Sequence, residues 1–427
     1  MSERRAHLTA RIPKIAKACA RLVARAPFAF ARAAVTGGRL SMPSFVSMTL
    51  DRDDLEVAQR WSRLRDRWIS YRLAEEFSSV FSRQFGLYES HAFMAGRVAL
   101  SACLHALNLA PGDEVIVPGY ICVAVPNAVR FAGLKVVYAD IELDTYGVDV
   151  HRLAAKLTHR TRALLIHHLY GLVCRDLEQL IEFARQHGLF VIEDCAHATG
   201  AKFKGRMIGS FGDVSFFSFE RSKILNTIQG GVAATTRPDL AEDLRSFWAR
   251  APSPSLDRVQ KQLANVALDF YECTHRFGWF FKDVAGAGFG GERLVSTSES
   301  EIRGERPPDY GCRMPDPIAA LAQNQFAKLD HYNRLRRETA VRWDLWCDQR
   351  GFSRVAVIPQ STPVFLRYPV LVPADRKADL SWARSELGLM PGRWFVSQVH
   401  PGPEKVRGCP AAEQAVKQCI NLPCLLK

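Results

Sequence analysis

One lysine and one aspartate of this sequence follow apolar runs and could together perform amine chemistry. Lys223 ends the apolar and hydroxyl-rich stretch 217–223, and Asp194 ends the apolar run 189–194. A lysine that loses its proton on burial can attack an aldehyde, and a carboxylate can keep a pyridine nitrogen protonated. Lys223 and Asp194 are therefore the pair of side chains that a pyridoxal phosphate enzyme needs.

Taken singly, both side chains also fit ordinary structural roles. Most lysines are solvated at the surface, and an aspartate after a strand can cap the next helix. A carboxylate buried without a partner is costly, which favours a partner for Asp194. A phosphate group would need N–H groups at a helix start. Residues 96–98 begin such a helix, and Ser218 offers a hydroxyl group.

Other kinds of site have little support in the sequence. There is no G-x-x-x-x-G-K-[ST], H-E-x-x-H or G-x-S-x-G, and no G-x-G-x-x-G follows a predicted strand. The common signatures of nucleoside triphosphate, zinc-protease, serine-hydrolase and dinucleotide sites are thus missing. His167 and His168 are neighbours on a predicted strand, so only one of them can face a site. We therefore predict no metal ion.

Short apolar strands alternate with helices through residues 94–235. The predicted strands are 114–118, 135–140, 163–168, 189–194, 214–219 and 231–235. This alternation predicts an α/β fold whose mostly parallel sheet is covered by helices on both faces. Ligands of such sheets bind beyond the carboxyl ends of the strands. Asp194, His197 and the stretch 218–223 all fall at such ends.

The stretches outside this alternation are predicted to be helical. Residues 51–90 carry aromatic side chains at three- and four-residue spacing, which end in Phe77, Phe81 and Phe85. This spacing predicts a helix whose aromatic stripe lies in the core. Residues 317–347 are predicted to form one long helix.

Residues 250–306 interrupt the alternation as an insertion. They contain a helical segment at 256–277, the aromatic run 279–281 and a glycine-rich piece. The insertion is either an extra helix packed on the domain or an aromatic patch that contacts a lipid or a lipid-linked substrate. Both interpretations stay open at this point.

The net charge of +13 is spread unevenly over the 427 residues. Residues 1–40 contain nine Lys or Arg and one acid, which gives +8 of that charge. The rest of the chain is only mildly basic, so we predict no nucleic acid partner. The segment 1–40 is either a solvated basic extension or a surface that contacts an anionic membrane.

The eleven cysteines include no C-x-x-C pair, which suits reduced thiols in a cytoplasm. No apolar run reaches the roughly 18–20 residues that cross a bilayer, and no apolar core typical of a secretory signal begins the chain. We expect a cytoplasmic protein, either free or peripheral to the inner face of the membrane through residues 1–40.

An ordered set of motifs resembles the DegT/StrS family of sugar aminotransferases. The motifs are Glu193-Asp194-Cys195-Ala196-His197-Ala198, Gly200-Ala201, Lys204-Gly205-Arg206, Gly209-Ser210-Phe211-Gly212-Asp213, Phe217-Ser218-Phe219, Ser222-Lys223 and Gly230-Gly231. The resemblance covers residues 75–240 densely and resumes more loosely at Arg313-Met314. It implies a fold-type-I pyridoxal phosphate transferase, in which a large domain holds a mostly parallel seven-stranded sheet between helices and a smaller C-terminal α/β domain follows.

The resemblance also implies a role for individual residues. Lys223 would bond to the cofactor aldehyde and, once released, move a proton between substrate and cofactor. Asp194 would pair with the pyridine nitrogen, and His197 would contact the ring and its phenolic oxygen. The remaining implied contacts are Ser218, Gly96, Arg97 and Val98 for the phosphate, and Tyr120 or Cys122 where an aromatic side chain often stacks on the ring. Tyrosine is the better physical candidate there, because cysteine has no ring face.

Several positions depart from the family pattern. Arg97 replaces the usual threonine, and its guanidinium could bind phosphate more strongly. Gly311 replaces an asparagine that reaches the phosphate across the dimer interface, and whether Arg313 compensates stays open. Gln229 lies where an acidic residue is common. Because Lys223 is not the histidine of the family's dehydratases, the resemblance implies transamination.

We predict a basic extension at 1–45, a large cofactor-binding domain at 46–315 and a long helix with a small domain at 316–427. The predicted protein is a homodimer that moves an amino group from an amino acid, taken as glutamate, to a nucleotide-linked keto sugar. The product would serve amino-sugar, polysaccharide or glycolipid biosynthesis. Two alternatives are a membrane-associated enzyme with a lipid-linked acceptor and a non-catalytic relative that binds a sugar nucleotide.

Overall fold

The structure is a computed structural model and describes residues 49–274, 293–307 and 310–425. The basic segment 1–40 and the aromatic run 279–281 lie outside the described residues, so the predicted lipid contacts stay predictions. Within the described ranges, no helix is long and apolar enough to cross a bilayer.

The described part of the chain contains both helices and strands. The strands are β1 Glu89–Phe93, β2 Glu114–Pro118, β3 Ile121–Cys122, β4 Lys135–Ala139, β5 Thr161–His167, β6 Phe190–Asp194, β7 Lys202–Phe203, β8 Arg206–Met207, β9 Val214–Ser218, β10 Gly231–Thr235, β11 Ser361–Thr362, β12 Arg367–Leu371, β13 Val399–His400 and β14 Cys419–Pro423. The α-helices are α1 Arg52–Ser62, α2 Arg72–Phe85, α3 Gly96–Ala106, α4 Ala124–Phe131, α5 Leu177–Gln186, α6 Pro238–Arg250, α7 Leu256–Thr274, α8 Glu299–Ile302, α9 Asp316–Ala327, α10 Leu329–Arg350, α11 Ala374–Ala378, α12 Ser381–Leu387 and α13 Pro410–Gln418. Short 3-10 turns lie at Arg65–Arg67, Val150–Arg152, Ala154–Lys156 and Leu169–Gly171.

A seven-stranded sheet has the strand order β1-β10-β9-β6-β5-β2-β4. The five strands from β9 to β4 run parallel to one another. Strand β10 pairs antiparallel with both β1 and β9. The structure confirms the predicted α/β fold with a mostly parallel sheet. The reversed direction of β10 could not be read from sequence, because all five of its residues are buried, as in a parallel strand.

Helices cover both faces of this sheet. Leu164 of β5 and Phe217 of β9 join one apolar cluster with α2, α5 and α9. Their neighbours Leu165 and Phe216 join a second cluster with α3, α4 and α6. Successive residues of a strand point to opposite faces, so each strand contributes to both cores.

The aromatic stripe of α2 supports the strand that precedes Lys223. Phe77 and Phe81 are fully buried, and the Phe81 ring stacks on Phe85 with 4.3 Å between centroids. Phe81 also meets Phe217 of β9 edge-on at 4.8 Å. The prediction that this stripe lies in the core is confirmed, and its rings pack behind the strand that carries the site.

Two predictions of single long helices are wrong. Residues 51–90 form α1, a 3-10 turn, α2 and the start of β1, and Tyr71 before α2 has a positive φ of 62°. Residues 317–347 form α9 and α10, which are separated at Lys328. Apolar periodicity reports which residues are buried but not where the helix axis turns, so it merged neighbouring helices.

The C-terminal part is a smaller α/β unit. Strands β12 and β14 form an antiparallel ribbon, with α11, α12 and α13 beside it in the chain. Strand β13 returns to the main body, where Val399 and His400 pair in parallel with Ile121 and Cys122 of β3. This pairing brings the loop before β13 to the carboxyl ends of the central strands.

Candidate active site

A cavity of about 960 Å³ opens beyond the carboxyl ends of β5, β6 and β9. The N-terminus of α3 and the loop before β13 face the same space. Eight of the predicted site residues line it, namely Gly96, Arg97, Val98, Cys122, Asp194, His197, Ser218 and Lys223. The parallel strands align their ends at one edge of the sheet, which collects residues that are far apart in sequence.

Glu193 anchors the end of β6. Its side chain is fully buried. One carboxylate oxygen accepts the N–H groups of Phe211 and Gly212, both at 2.6 Å, and the other accepts that of Gly209 at 2.9 Å. His168 Nε2 lies 3.3 Å from the second oxygen. These bonds tie the loop 209–212 to the strand end from which Asp194 projects.

Asp194 is a carboxylate in a poorly solvated position. Its Oδ1 accepts the N–H of Ala196 at 3.0 Å. Burial raises the pKa of Asp194 to about 6, although the Ala196 hydrogen bond and the charge of Lys223 oppose the shift. The ionised carboxylate is thus stabilised by any cation that enters the cavity beside it.

Lys223 Nζ lies 2.7 Å from His197 Nε2. Burial lowers the pKa of Lys223, despite opposing effects of Glu220, Cys122 and Asp194. The pKa of His197 is also well below its usual value, first because of burial and then because of the Lys223 charge.

The hydrogen bonds around His197 indicate the protonation state of the lysine. The N–H of Tyr170 donates to His197 Nδ1 at 3.2 Å, so the neutral imidazole carries its proton on Nε2. Nε2–H can then donate to Lys223 Nζ only if the amine is uncharged. This arrangement and the lowered pKa of Lys223 both favour its free amine, which is the nucleophilic form.

Gly96 at the start of α3 packs against Ser218 at the end of β9. A Cβ atom on Gly96 would lie 2.8 Å from Ser218 Cβ, and one on Gly231 would lie 2.7 Å from the Gly96 nitrogen. Only glycine allows this approach. The contact places the first N–H groups of α3 beside the Ser218 hydroxyl, and this cradle of donors suits an anion.

The Arg97 side chain points to a different partner from the one expected. Its guanidinium forms an ion pair with Glu301 and donates to the Ser296 carbonyl. Arg97 would therefore contact a phosphate through its backbone N–H at the start of α3. Val98 is buried and its N–H donates to the Ala95 carbonyl at 3.1 Å, so its contribution is a wall of the cavity.

The structure separates the two candidates for a stacking residue. Cys122 lines the cavity. Tyr120 is fully buried in the C-terminal core, where its hydroxyl meets Tyr170 Oη at 3.1 Å and accepts the Phe395 N–H at 2.7 Å. Neither candidate presents an aromatic face to the site, since Tyr120 is behind the wall and Cys122 has no ring.

Arg313 lies outside the cavity lining. Its guanidinium carbon is 4.0 Å from the Tyr71 ring centroid and 5.3 Å from that of Trp248. This aromatic setting gives Arg313 a structural role within its own chain. The neighbouring Gly311 has a positive φ of 109°, which glycine adopts without strain.

Sequence reasoning missed Trp394 and the contribution of the insertion. Trp394 lines the cavity, and its indole lies nearly parallel to the His197 ring at 5.8 Å. Helix α7 of the insertion contributes Arg258 and Lys261 to another wall, with Arg293 after it. No motif marks these residues, and their place in the site depends on how α7 and the loop before β13 fold back.

Helix α7 holds the Lys223 loop through three buried polar side chains. Gln262 donates to the Thr227 carbonyl at 2.6 Å. Asn265 and Asp269 accept from the Arg221 guanidinium at 3.1 and 3.3 Å. The described part of the insertion therefore packs on the domain, as one of its two interpretations predicted, and also lines the site.

The donor set fits pyridoxal phosphate. A free amine suits the aldehyde, a carboxylate with a raised pKa suits the ring nitrogen, and the Gly96–Ser218 cradle suits the phosphate. Gly96 supports this fit independently, because a Cβ there would fill the cradle.

Comparison with known proteins agrees with the geometry. The family model "DegT/DnrJ/EryC1/StrS aminotransferase family" matches residues 51–427. GDP-perosamine synthase of Escherichia coli O157:H7 is 39% identical over 371 residues, which cover 84% of this chain and 87% of that protein. L-glutamine:2-deoxy-scyllo-inosose aminotransferase of Streptomyces kanamyceticus is 32% identical over 68% of this chain and 61% of its own.

A solved structure shows the same architecture. The S. venezuelae protein DesV superposes with a TM-score of 0.69 and 25% identity, over 90% of this chain and 93% of that one. The cofactor of the protein is therefore pyridoxal phosphate. The chain belongs to the DegT/DnrJ/EryC1/StrS aminotransferase family.

Proposed function

We propose that the protein transfers an amino group from glutamate to a nucleotide-linked keto sugar in amino-sugar biosynthesis. The observation that carries this proposal is the geometry of the buried Lys223 amine, whose Nζ lies 2.7 Å from His197 Nε2 in the cavity that Asp194 also lines. The relative named GDP-perosamine synthase supports a nucleotide-linked sugar as the acceptor.

Pyridoxal phosphate, when bound, supplies an aldehyde for amine exchange and a protonated ring that withdraws electrons. Asp194 keeps that ring protonated by its charge. The backbone N–H groups at Gly96 and Arg97, with the Ser218 hydroxyl, hold the phosphate. Lys223 Nζ would act as the base that takes a proton from the substrate carbon bearing the nitrogen and delivers it to the cofactor.

The size and charge of the cavity suit a nucleotide-linked substrate. Its volume of about 960 Å³ is at the upper end of small-molecule sites. Arg258, Lys261 and Arg293 lie on the wall formed by the insertion, and cations of this kind attract diphosphate oxygens. The acidic Asp257 and Glu272 on the same wall confine this attraction to part of the cavity.

The direct test is the visible absorbance band of the cofactor-loaded protein. We expect the band in the wild type and its loss in Lys223→Ala, while Lys261→Ala keeps it. Adding glutamate should change the wild-type spectrum and release 2-oxoglutarate, and a nucleotide-linked keto sugar should reverse that change. The proposal is contradicted if the wild type shows no band. It is also contradicted if the wild type converts glutamate but no nucleotide-linked keto sugar accepts the amino group. Release of 2-oxoglutarate also separates the enzyme from a non-catalytic relative.

We further propose a cytoplasmic homodimer with a large domain at 46–315 and a small domain from 316. Light scattering on the eluting protein measures the oligomeric state, and a monomer at working concentration contradicts it.

For the basic segment we propose a contact with anionic membranes. Flotation with anionic liposomes should recover the full chain but not a variant without residues 1–40. Equal recovery of the two would end this proposal.

A further inference from the structure

The loop before β13 carries a tryptophan that faces the site beside the reactive amine. The Trp394 side chain is partly exposed on the cavity wall. The centroid of its ring lies 5.4 Å from Lys223 Nζ. Its other near neighbours are the His197 ring and, 5.6 Å away, the guanidinium carbon of Arg367.

Buried polar groups fix the backbone of this residue and the next. The Trp394 carbonyl accepts from Asn421 Nδ2 at 2.7 Å and also from the Tyr170 hydroxyl. Asn421 and Tyr170 are both fully buried. These bonds come from the C-terminal ribbon and from the 3-10 turn after β5, so two parts of the chain hold the Trp394 backbone in place.

Phe395 is clamped in the same way. Its N–H donates to the buried Tyr120 hydroxyl at 2.7 Å, and its carbonyl accepts from Lys377 Nζ at 3.0 Å. Its ring lies nearly parallel to that of His400 at 4.9 Å. The Trp394 indole itself packs against an apolar cluster of the main sheet and against that of the C-terminal core, so packing on a fixed backbone preorganises its surface.

The position of the indole determines what it can contact. A carbon atom that exchanges a proton with Lys223 Nζ must approach that nitrogen to about 3 Å. Since Nζ is 5.4 Å from the ring centroid, a six-membered ring that contains that carbon is long enough to reach the indole when it lies on the Trp394 side of Nζ. An amino acid donor is acyclic and has no such ring.

We propose that Trp394 is a specificity residue that binds the C–H face of the pyranose ring of the acceptor. This inference rests on the proposed function and adds the surface that reads the sugar. The indole offers a flat apolar face of the kind that aromatic side chains use in recognition. The hydroxyl-poor face of a deoxy or keto sugar matches it better than a fully hydroxylated face.

The test separates sugar binding from the donor half of the reaction. Calorimetry on the cofactor-loaded protein gives the affinity for GDP-, UDP- and TDP-linked amino sugars and for GDP, UDP and TDP alone. The ratio of the two affinities for the preferred nucleotide isolates the contribution of the sugar. In parallel, the change of the cofactor spectrum with glutamate alone reports the donor half-reaction.

We expect Trp394→Ala to lower the sugar contribution about tenfold and to leave the donor rate within about threefold. Trp394→Phe keeps a flat ring and should recover most of the loss, which guards against misfolding of the alanine variant. Val396→Ala is the matched control, because Val396 is an exposed side chain two residues along the same loop.

Two results would overturn the inference. One is an unchanged sugar contribution in Trp394→Ala. The other is an equal loss in the donor half-reaction, which would make the indole a support for Lys223 instead. If the wild type shows no sugar contribution with any of the three nucleotides, the proposed function itself fails, and the inference fails with it.

Discussion

Asp194→Asn tests the proposed pairing of the Asp194 carboxylate with the protonated nitrogen of the cofactor ring. The amide oxygen can still accept the Ala196 N–H, which now donates to Asp194 Oδ1 at 3.0 Å, so the fold should persist. What is lost is the negative charge beside a protonated ring nitrogen. Breaking a fully buried ion pair costs about 3–5 kcal/mol. Asp194 is only partly buried, so we take the lower end, roughly a hundredfold in affinity.

The assay is a fluorescence titration of the cofactor-free protein with pyridoxal phosphate. We expect the dissociation constant of Asp194→Asn to rise by roughly two orders of magnitude. Asp243→Asn is the control, because Asp243 is an exposed carboxylate on α6. An Asp194→Asn constant within threefold of the wild type would refute the reasoning, since the carboxylate would then not pair with the ring.

The pH dependence gives the same test a second readout. The pKa of Asp194 in the cofactor-free protein is raised to about 6, so the carboxylate is ionised above that pH and neutral below it. Wild-type affinity should therefore be complete near neutral pH and weaken as pH falls through about 6. Asp194→Asn cannot ionise, so this particular weakening should be absent from its titrations.

Three further substitutions probe how the site is positioned. Gly96→Ala should destabilise the protein by about 1–3 kcal/mol in thermal melts, because its Cβ would meet Ser218 Cβ at 2.8 Å; adding Ser218→Gly should restore stability, and no restoration would contradict the steric reason. Glu193→Gln should lose about 3 kcal/mol in denaturant unfolding, because an amide nitrogen would face N–H donors that the carboxylate now accepts; a neutral result would mean that these bonds contribute little. Asp269→Ala should slow turnover and lower the melting temperature, because it removes a buried partner of Arg221, which lies two residues before Lys223. Unchanged turnover would show that α7 does not hold the lysine loop.

Several parts of the site could be predicted from sequence because they are local. Residues 193–198 and 217–223 are short stretches at strand ends, and the direction of parallel strands places such ends at one edge of a sheet. The structure lines one cavity with Asp194, His197, Ser218 and Lys223, as that argument expects. Gly96 joined the set because residues 96–98 begin a predicted helix, whose first N–H groups suit a phosphate.

Other parts depended on contacts that no local pattern encodes. Arg97 has the charge to bind phosphate, but Glu301 more than two hundred residues later takes its guanidinium. Tyr120 has the ring that stacking needs, but Phe395 and Tyr170 hold it in the core. In both cases the residue type indicated what the side chain could bind. The sequence did not indicate its actual partner, because that partner is set by how distant segments pack.

The sequence by itself determined the fold class and the family, and it predicted the residues that react. These follow from strand and helix periodicity and from motifs whose chemistry requires particular side chains. Only the tertiary structure decided the burial that lowers the pKa of Lys223, the contact of its Nζ with His197 and the identity of the aromatic wall, Trp394. The physical reason is that pKa values and cavity walls depend on burial and on neighbours brought together from several parts of the chain.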